Sequence, residues 1–288
     1  MLAIYKREFK SYLYSMTGSV FIAFITFLTG IYFMAYNLHS GYPYFAYALE
    51  GIMFPFMVAV PVLTMRSFSE ERKSKTDQLL LTSPVGVGKM VMGKYLAMVT
   101  VFVIPCVLFC AYPLIIKTQG KAYFMTDYTA ILVFFLLGCV YIAIGCFLSA
   151  LTESQIIAAI STFGVLMLIY LWDGLLDFLP SSAAGGMIGI WMILTIFVLF
   201  IYNMTKNIIL SGGIEIAGTL GLVIVYFVKS SVYENILSDI LGRFGLTQVF
   251  YNVAENNLLD IQGVILYLTI AGVFLFLTVQ VIQKRRFS

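Results

Sequence analysis

Few side chains among these 288 residues have the type and spacing for chemistry, and each set lacks something its chemistry requires. Asp173 and Asp177 stand four apart, so one helix face would carry both carboxylates, an arrangement suited to a cation or to acid–base work. No catalytic partner accompanies them, and they read as structural or topological residues. Cys106 and Cys110 are four apart, and Cys139 and Cys146 seven apart, all in apolar stretches. A metal would need histidine or acidic ligands beside them, and the single histidine is His39. The cysteines therefore read as small packing residues. The run VGVGKM, 85–90, has a Gly-Lys pair but lacks the leading glycine and the following Ser or Thr of a phosphate loop. No catalytic, cofactor or metal residue is expected, and the chain is not expected to be an enzyme.

The informative polar feature is the interval from Arg66 to Lys94, which holds six of the seventeen Lys and Arg residues. Ser69 is expected to cap a short helix with Glu70 and Glu71 at the positive end of its dipole. Thr76 is expected to cap a second, with Asp77 and Gln78 in its first turn, then Leu79, Leu80 and Leu81, and a stop at Pro84. Three leucines are costly to display in water. They must tuck against this protein's own helices or dock into another protein.

The elements around this island are membrane helices. The chain is 61% hydrophobic and 11% charged, with a mean hydropathy of +0.98, where a soluble domain carries about 25% charged residues. A soluble helical core is excluded because most segments lack a charged face. The net charge of +3 is too small and dispersed for nucleic acid. Spans of about 20 residues are expected at 18–38, 50–66, 95–116, 129–149, 156–173, 187–204, 214–230 and 263–283. Eight crossings compete with six plus a hairpin or re-entrant pair formed by 187–230. Residues 1–14 read as an interfacial helix with Leu2, Tyr5, Phe9 and Tyr12 on one face and Lys6, Arg7 and Lys10 off it. Residues 231–262 read as an extracytoplasmic amphipathic segment, with apolar residues at 236, 237, 240, 241 and 244. No signal-peptide pattern opens the sequence.

Charge sets the orientation. With the N-terminus inside and eight crossings, thirteen of the seventeen cations lie inside: Lys6, Arg7, Lys10, the six of the island, Lys206, Lys284, Arg285 and Arg286. Both termini are then cytoplasmic, which requires an even number of crossings. Glu153, in the turn between the fourth and fifth spans, either faces water or pairs with a base such as Arg72. Glu215 is expected at the inner end of the span beginning at 214. Gly138 and Gly145 are expected to allow close packing of the fourth span against a neighbour. Pro55, Pro61, Pro105 and Pro113 suggest that the second and third spans bend.

The string SEERKSKTDQLLLTSPVGVGKMVMGKYLA resembles the cytosolic signature of ABC-2 type transporter permeases, closest to the gliding-motility and nitrous-oxide-accessory branch. Matching positions are Glu70, Glu71, Thr76, Leu79, Leu80, Leu81, Thr82, Pro84, Val85, Gly93, Lys94, Leu96 and Ala97. Two positions depart: Lys75 replaces a usual glycine and Gln78 a usual glutamate. The N-terminal helix with Tyr5, Lys6, Arg7, Glu8 and Phe9 also looks familial.

The resemblance implies an all-α polytopic membrane bundle in the plasma membrane of a prokaryote, acting as the permease subunit of an ATP-driven transporter, an exporter in that family's manner. It implies two copies of a separate ATPase subunit that binds ATP and Mg²⁺, and a second permease subunit. The coupling region is then 67–94, with ATPase contact through Glu70, Glu71, Arg72, Thr76, Asp77, Gln78, Leu79, Leu80, Leu81 and Pro84. Tyr5, Lys6, Arg7 and Glu153 would form a second contact. An alternative is a non-transporting subunit that passes ATP-driven motion to a large, membrane-anchored extracytoplasmic partner.

Overall fold

A computed structural model describes residues 1–76, 86–256 and 261–287. Within these residues every regular element is a helix. The helices divide into two compact units, Met1–Tyr170 with Leu246–Ser288, and Leu171–Gly245.

The first unit begins with α1 (Leu2–Tyr14), a break at Ser15, and α2 (Met16–Phe33), which continues as a wider π-helical stretch over Met34–His39. The break is tight: a Cβ on Gly18 would lie 2.3 Å from the Tyr12 carbonyl oxygen, so only glycine lets the chain turn there. Next come α3 (Ala46–Thr64), α4 (Ser69–Lys73), α5 (Val87–Phe109), α6 (Tyr112–Gln119), α7 (Phe124–Leu151) and α8 (Gln155–Tyr170). After the second unit the chain returns as α13 (Leu246–Asn256) and α14 (Ile261–Phe287).

Helices α3, α5 and α7 form the core around three aromatic rings. Phe56 stacks on Phe102 at 4.9 Å and meets Phe134 at 4.9 Å. Phe250 of α13 closes the set edge-on against Phe134 at 6.1 Å. The glycines of α7 make this possible. A Cβ on Gly138 would stand 2.1 Å from the Phe102 ring, and one on Gly145 would stand 2.3 Å from Thr64 Oγ1. The expected small-residue face thus receives helices of this same chain.

Asp127, in the first turn of α7, is fully buried. Its Oδ1 accepts the Phe45 N–H at 2.8 Å, at the residue preceding α3. It ties the 40–45 loop to α7.

Seven helical segments among the described residues are long and apolar enough to cross a membrane: Met16–His39, Ala46–Lys73, Val87–Gln119, Phe124–Leu151, Ala183–Asn203, Ser211–Val228 and Ile261–Arg285. The span expected at 156–173 is the shorter helix Gln155–Tyr170. The span expected at 95–116 starts eight residues earlier, at Val87, because Gly86 takes the extended N-cap position and Gly88 lies inside the helix. Pro55, Pro61 and Pro105 are internal to their helices, whereas Pro113 starts a new one, α6.

The second unit contains α9 (Trp172–Leu176), α10 (Ala183–Thr205), α11 (Ile208–Val228), a 3-10 turn (Ser230–Tyr233) and α12 (Ile236–Gly242). Helices α10 and α11 pack on each other, with Leu194 against Gly218. The Tyr233 hydroxyl donates to the Leu222 carbonyl at 2.9 Å, and Trp172 Nε1 donates to Leu241 at 2.9 Å. Two expectations change. Glu215 is not at a helix start: α11 begins at Ile208, which puts Glu215 two turns inside, where it accepts a hydrogen bond from Thr195 of α10 at 3.0 Å. The amphipathic face read at 236–244 leaves Ile240 and Phe244 exposed. Leu237 of that face is buried, and a more continuous packed face follows on α13, with Leu246, Val249, Phe250, Val253 and Ala254 buried at helical spacing.

Gly145→Ala should destabilise the protein by about 1–3 kcal/mol, because Thr64 is β-branched, buried and held to the Val60 carbonyl. Thermal unfolding in detergent checks this. Gly164→Ala, inside α8 where the added carbon meets nothing, should leave the melting temperature unchanged or raise it slightly, alanine being the better helix former.

Candidate functional site: a buried charge cluster

The island of the sequence folds against the ends of four helices. Arg66 to Phe68 continue from α3 and lead into the five-residue α4. Its capping differs from expectation. Ser69 is the first helical residue, and its hydroxyl donates back to the Met65 carbonyl. The free N–H groups of Phe68 and Ser69 are instead accepted by Ser149 Oγ of α7, each at 3.2 Å. Ser149 in turn donates to Met65 at 3.1 Å. A helix this short cannot sustain itself, and α7 supplies the cap from eighty residues away.

The end of α4 is also well defined. The Thr76 N–H donates to the Glu71 carbonyl at 3.0 Å and the Lys75 N–H to the Arg72 carbonyl at 3.1 Å. This is the Schellman pattern, which needs a left-handed residue at Lys75. Lys75 has φ of +57°. The glycine usual at this position in the resembling family therefore has a geometric reason, and the lysine departs from it at a cost of about 1 kcal/mol.

Above α4 lies the cluster that organises the face. Lys94, on α5, is 2% exposed. Its Nζ lies 2.9 Å from Glu71 Oε1 and 3.5 Å from Glu8 Oε1, and donates to the Ser67 carbonyl at 2.8 Å. The Phe68 ring centroid is 5.3 Å away. Arg7 of α1 bridges the same two carboxylates, at 2.6 Å to Glu8 and 3.1 Å to Glu71. Hydrogen bonding to Glu8 pushes the Arg7 guanidinium above its ordinary value. Two cations and two anions thus close a neutral set drawn from α1, α4 and α5. A buried ammonium costs several kcal/mol to desolvate, and this one is offset by two carboxylates, a carbonyl and a ring face.

Helix α1 reaches the cluster because α5 lets it come close. A Cβ on Gly93 would meet Ile4 at 3.2 Å. The Tyr5 hydroxyl lies 3.1 Å from Thr100 Oγ1. Tyr12 is buried, and that burial raises its phenol well above the usual range, so it packs as a neutral ring.

The expected contact residues separate into groups. Glu71 and Arg7 share the cluster, and Tyr5 anchors α1 beside it. Arg72 meets Glu153 at 2.8 Å and donates to the Leu151 carbonyl at 3.1 Å, so of the two readings of Glu153 the paired one holds. Glu70 instead pairs with Arg66 at 3.0 Å on the surface, a contact worth under about 1 kcal/mol. Lys6 is exposed, pointing away from the cluster. Thr76 Oγ1 lies 2.9 Å from Ser74 Oγ. Asp77, Gln78, Leu79, Leu80, Leu81 and Pro84 fall outside the described residues. Glu8, Lys94 and Ser149 were not expected at the site. Lys94 enters the sequence reading as one of the island's cations and as a matching position of the family signature; the glycine before it is the available signal that something packs there.

The arrangement holds no nucleophile–base pair, and no group of three metal-ligating side chains occurs among the described residues. Mechanically, it fixes the island to α1, α5 and α7 while leaving the chain on either side of 77–85 attached at Thr76 and Gly86.

Lys94→Met should destabilise the protein by about 3 kcal/mol, since it leaves two part-buried carboxylates facing each other and Arg7 alone. Lys75→Gly should stabilise it by about 1 kcal/mol by relieving the left-handed strain. Thermal melts of the two variants in one detergent should move in opposite directions.

No curated protein matches this chain. A family comparison matches the ABC-2 family transporter protein over residues 31–281, which takes in both units and all but the first helix of the cluster. With its all-helical fold and seven apolar membrane-length helices, this chain belongs to the ABC-2 transporter family as a multi-pass membrane permease component.

Proposed function

We propose that this chain is the transmembrane subunit of an ATP-driven exporter, moved by a separate ATPase that docks on the 67–94 region. In this reading residues 77–85 are the docking surface, with Leu79, Leu80 and Leu81 covered by the ATPase. ATP and Mg²⁺ bind to the ATPase, two copies of which serve a pair of permease subunits. The chain sits in the plasma membrane of a prokaryote with both termini in the cytoplasm. Gln155–Tyr170, sixteen residues and so about 24 Å long, is the eighth crossing together with the turn that follows. An even count puts the basic residues of both ends on one side of the membrane.

The observation that carries this reading is the cluster around Lys94. A force applied at 77–85 enters α4 through Thr76, whose N–H is bound to Glu71. Glu71 is bound to α5 through Lys94 and to α1 through Arg7. Arg72 carries the same force to the α7–α8 turn through Leu151 and Glu153. One short helix thus acts on four membrane helices or their ends, as a relay for rigid-body motion needs.

The paired substitution Leu80→Asp, Leu81→Asp, and separately Glu71→Lys, should leave membrane insertion intact. Each should lower substrate-coupled hydrolysis about tenfold or more, the leucine pair by placing charges in the docking contact and so also lowering ATPase co-purification, and Glu71→Lys by breaking the ties to Lys94 and Arg7. Full coupling in both variants would overturn the assignment. If the complex also retains a large extracytoplasmic subunit and moves no substrate, its work is mechanical action on that partner.

A further inference from the structure

The two sides of α1 are unequal. One side is saturated: Ile4 packs on Gly93, Tyr5 meets Thr100, Glu8 joins the ion cluster and Tyr12 is buried. The other side carries Lys6, Lys10 and Leu13, which at about 100° per residue fall within roughly a sixth of a turn, and Leu2, read from the sequence as part of the Tyr5 face, lies at its edge and is left uncovered with them. All four are exposed, Leu2 at 66% and Leu13 at 39%. Beyond them Tyr14 is 88% and Met16 85% exposed. Lys6 and Lys10 make no ion pair among the described residues, although Arg7 between them makes two.

This pattern has a specific partner. Helix α2 starts two residues after α1 ends and is the first apolar segment of membrane length. Helix α1 is therefore held at the level of the bilayer surface. Exposed leucines beside two unpaired lysines, one turn apart, suit the boundary between acyl chains and headgroups. A zwitterionic surface would supply the apolar contact and phosphate oxygens, but each phosphate is already matched by its own headgroup cation, so the surface has no net negative charge to draw two ammonium groups. We propose that Lys6 and Lys10 bind the phosphates of acidic phospholipids, making α1 an anionic-lipid site back to back with the ion cluster. The helix then ties the membrane surface on one side to Glu71 on the other. The proposal depends on α1 lying at the bilayer and does not depend on the ATPase reading.

Native mass spectrometry of the full-length chain, from micelles holding equal phosphatidylglycerol and phosphatidylcholine, tests it. The wild-type protein should retain phosphatidylglycerol preferentially. K6Q/K10Q should lower the ratio of the two bound lipids about fivefold or more, since one lysine at an anionic surface is worth about fivefold. K6R/K10R and K73Q/K75Q should keep the wild-type ratio, and all variants should elute as the wild type does. No preference in the wild type, or an unchanged ratio in K6Q/K10Q, would overturn the proposal. So would K6Q/K10Q releasing an ATPase from the assembled complex while the lipid ratio holds, which would make this side of α1 a protein-docking surface. Failure of the leucine and Glu71 variants to uncouple hydrolysis would leave the lipid ratios untouched, so the two readings fail separately.

Discussion

A single buried ammonium, Lys94, sets the arrangement of this face of the protein. Its desolvation must be offset locally, and no partner on its own helix does so. Glu8 comes from α1, Glu71 from α4, and the Ser67 carbonyl and Phe68 ring from the link after α3. The requirement of one side chain thus brings four segments together that are far apart in sequence. Buried ion pairs are weak evidence of stability compared with apolar packing, but breaking one is expensive. That asymmetry suits a relay. The cluster tolerates one arrangement of α1, α4 and α5, and an altered arrangement leaves a charge without its partner.

The cluster would not form without the packing beneath it. Gly93 lets Ile4 approach α5, which carries Glu8 and Arg7 to within reach of Lys94. Gly145 lets Thr64 lie against α7, which fixes the end of α3 and delivers Met65 to the hydroxyl of Ser149. That hydroxyl then holds the first N–H groups of α4. Close approach through a glycine followed by a nearby polar contact occurs twice: at the next residue for Gly93 and Lys94, and one turn on for Gly145 and Ser149. In each case loss of the side chain at one position allows the neighbouring polar group to reach across.

Much of this was legible in the sequence and some was not, for physical reasons. Apolar runs of membrane length declare themselves, because lipid demands continuous hydrophobic surface. The polar island stands out against that background, and the family signature within it points to the same class as the comparison over residues 31–281. Helix ends were harder. Val87 rather than 95 starts α5, since Gly88 is tolerated inside a packed helix. Ile208 rather than 214 starts α11, because Gly212 and Gly213 look like a break but are spanned by the helix. The cap of α4 was invisible, because Ser149 lies eighty residues from the groups it binds and local patterns report only local partners. Lys75 was readable as a departure from glycine, but the reason for the glycine needed the dihedral angle.

The charge pattern gains a sharper meaning once the pairs are known. Lys94 was counted among the cations that orient the chain, yet it is buried and paired with two acids. Setting it aside leaves twelve of the remaining sixteen cations on the side proposed to be cytoplasmic, so the bias does not depend on it. Arg7, Arg66 and Arg72 are each matched to a carboxylate. The cations of this face with no ion pair among the described residues are Lys6, Lys10, Lys73, Lys75 and Lys89, all of them exposed lysines. The division follows from the two side chains. A guanidinium forks onto two acceptors at once and holds a fixed geometry, whereas an exposed ammonium on a flexible stem remains hydrated and mobile. The arginines therefore build the rigid part of the face. The lysines give it the positive surface that meets whatever lies outside it, and Lys94 joins the rigid set because burial removed its water and three neighbouring segments replaced it.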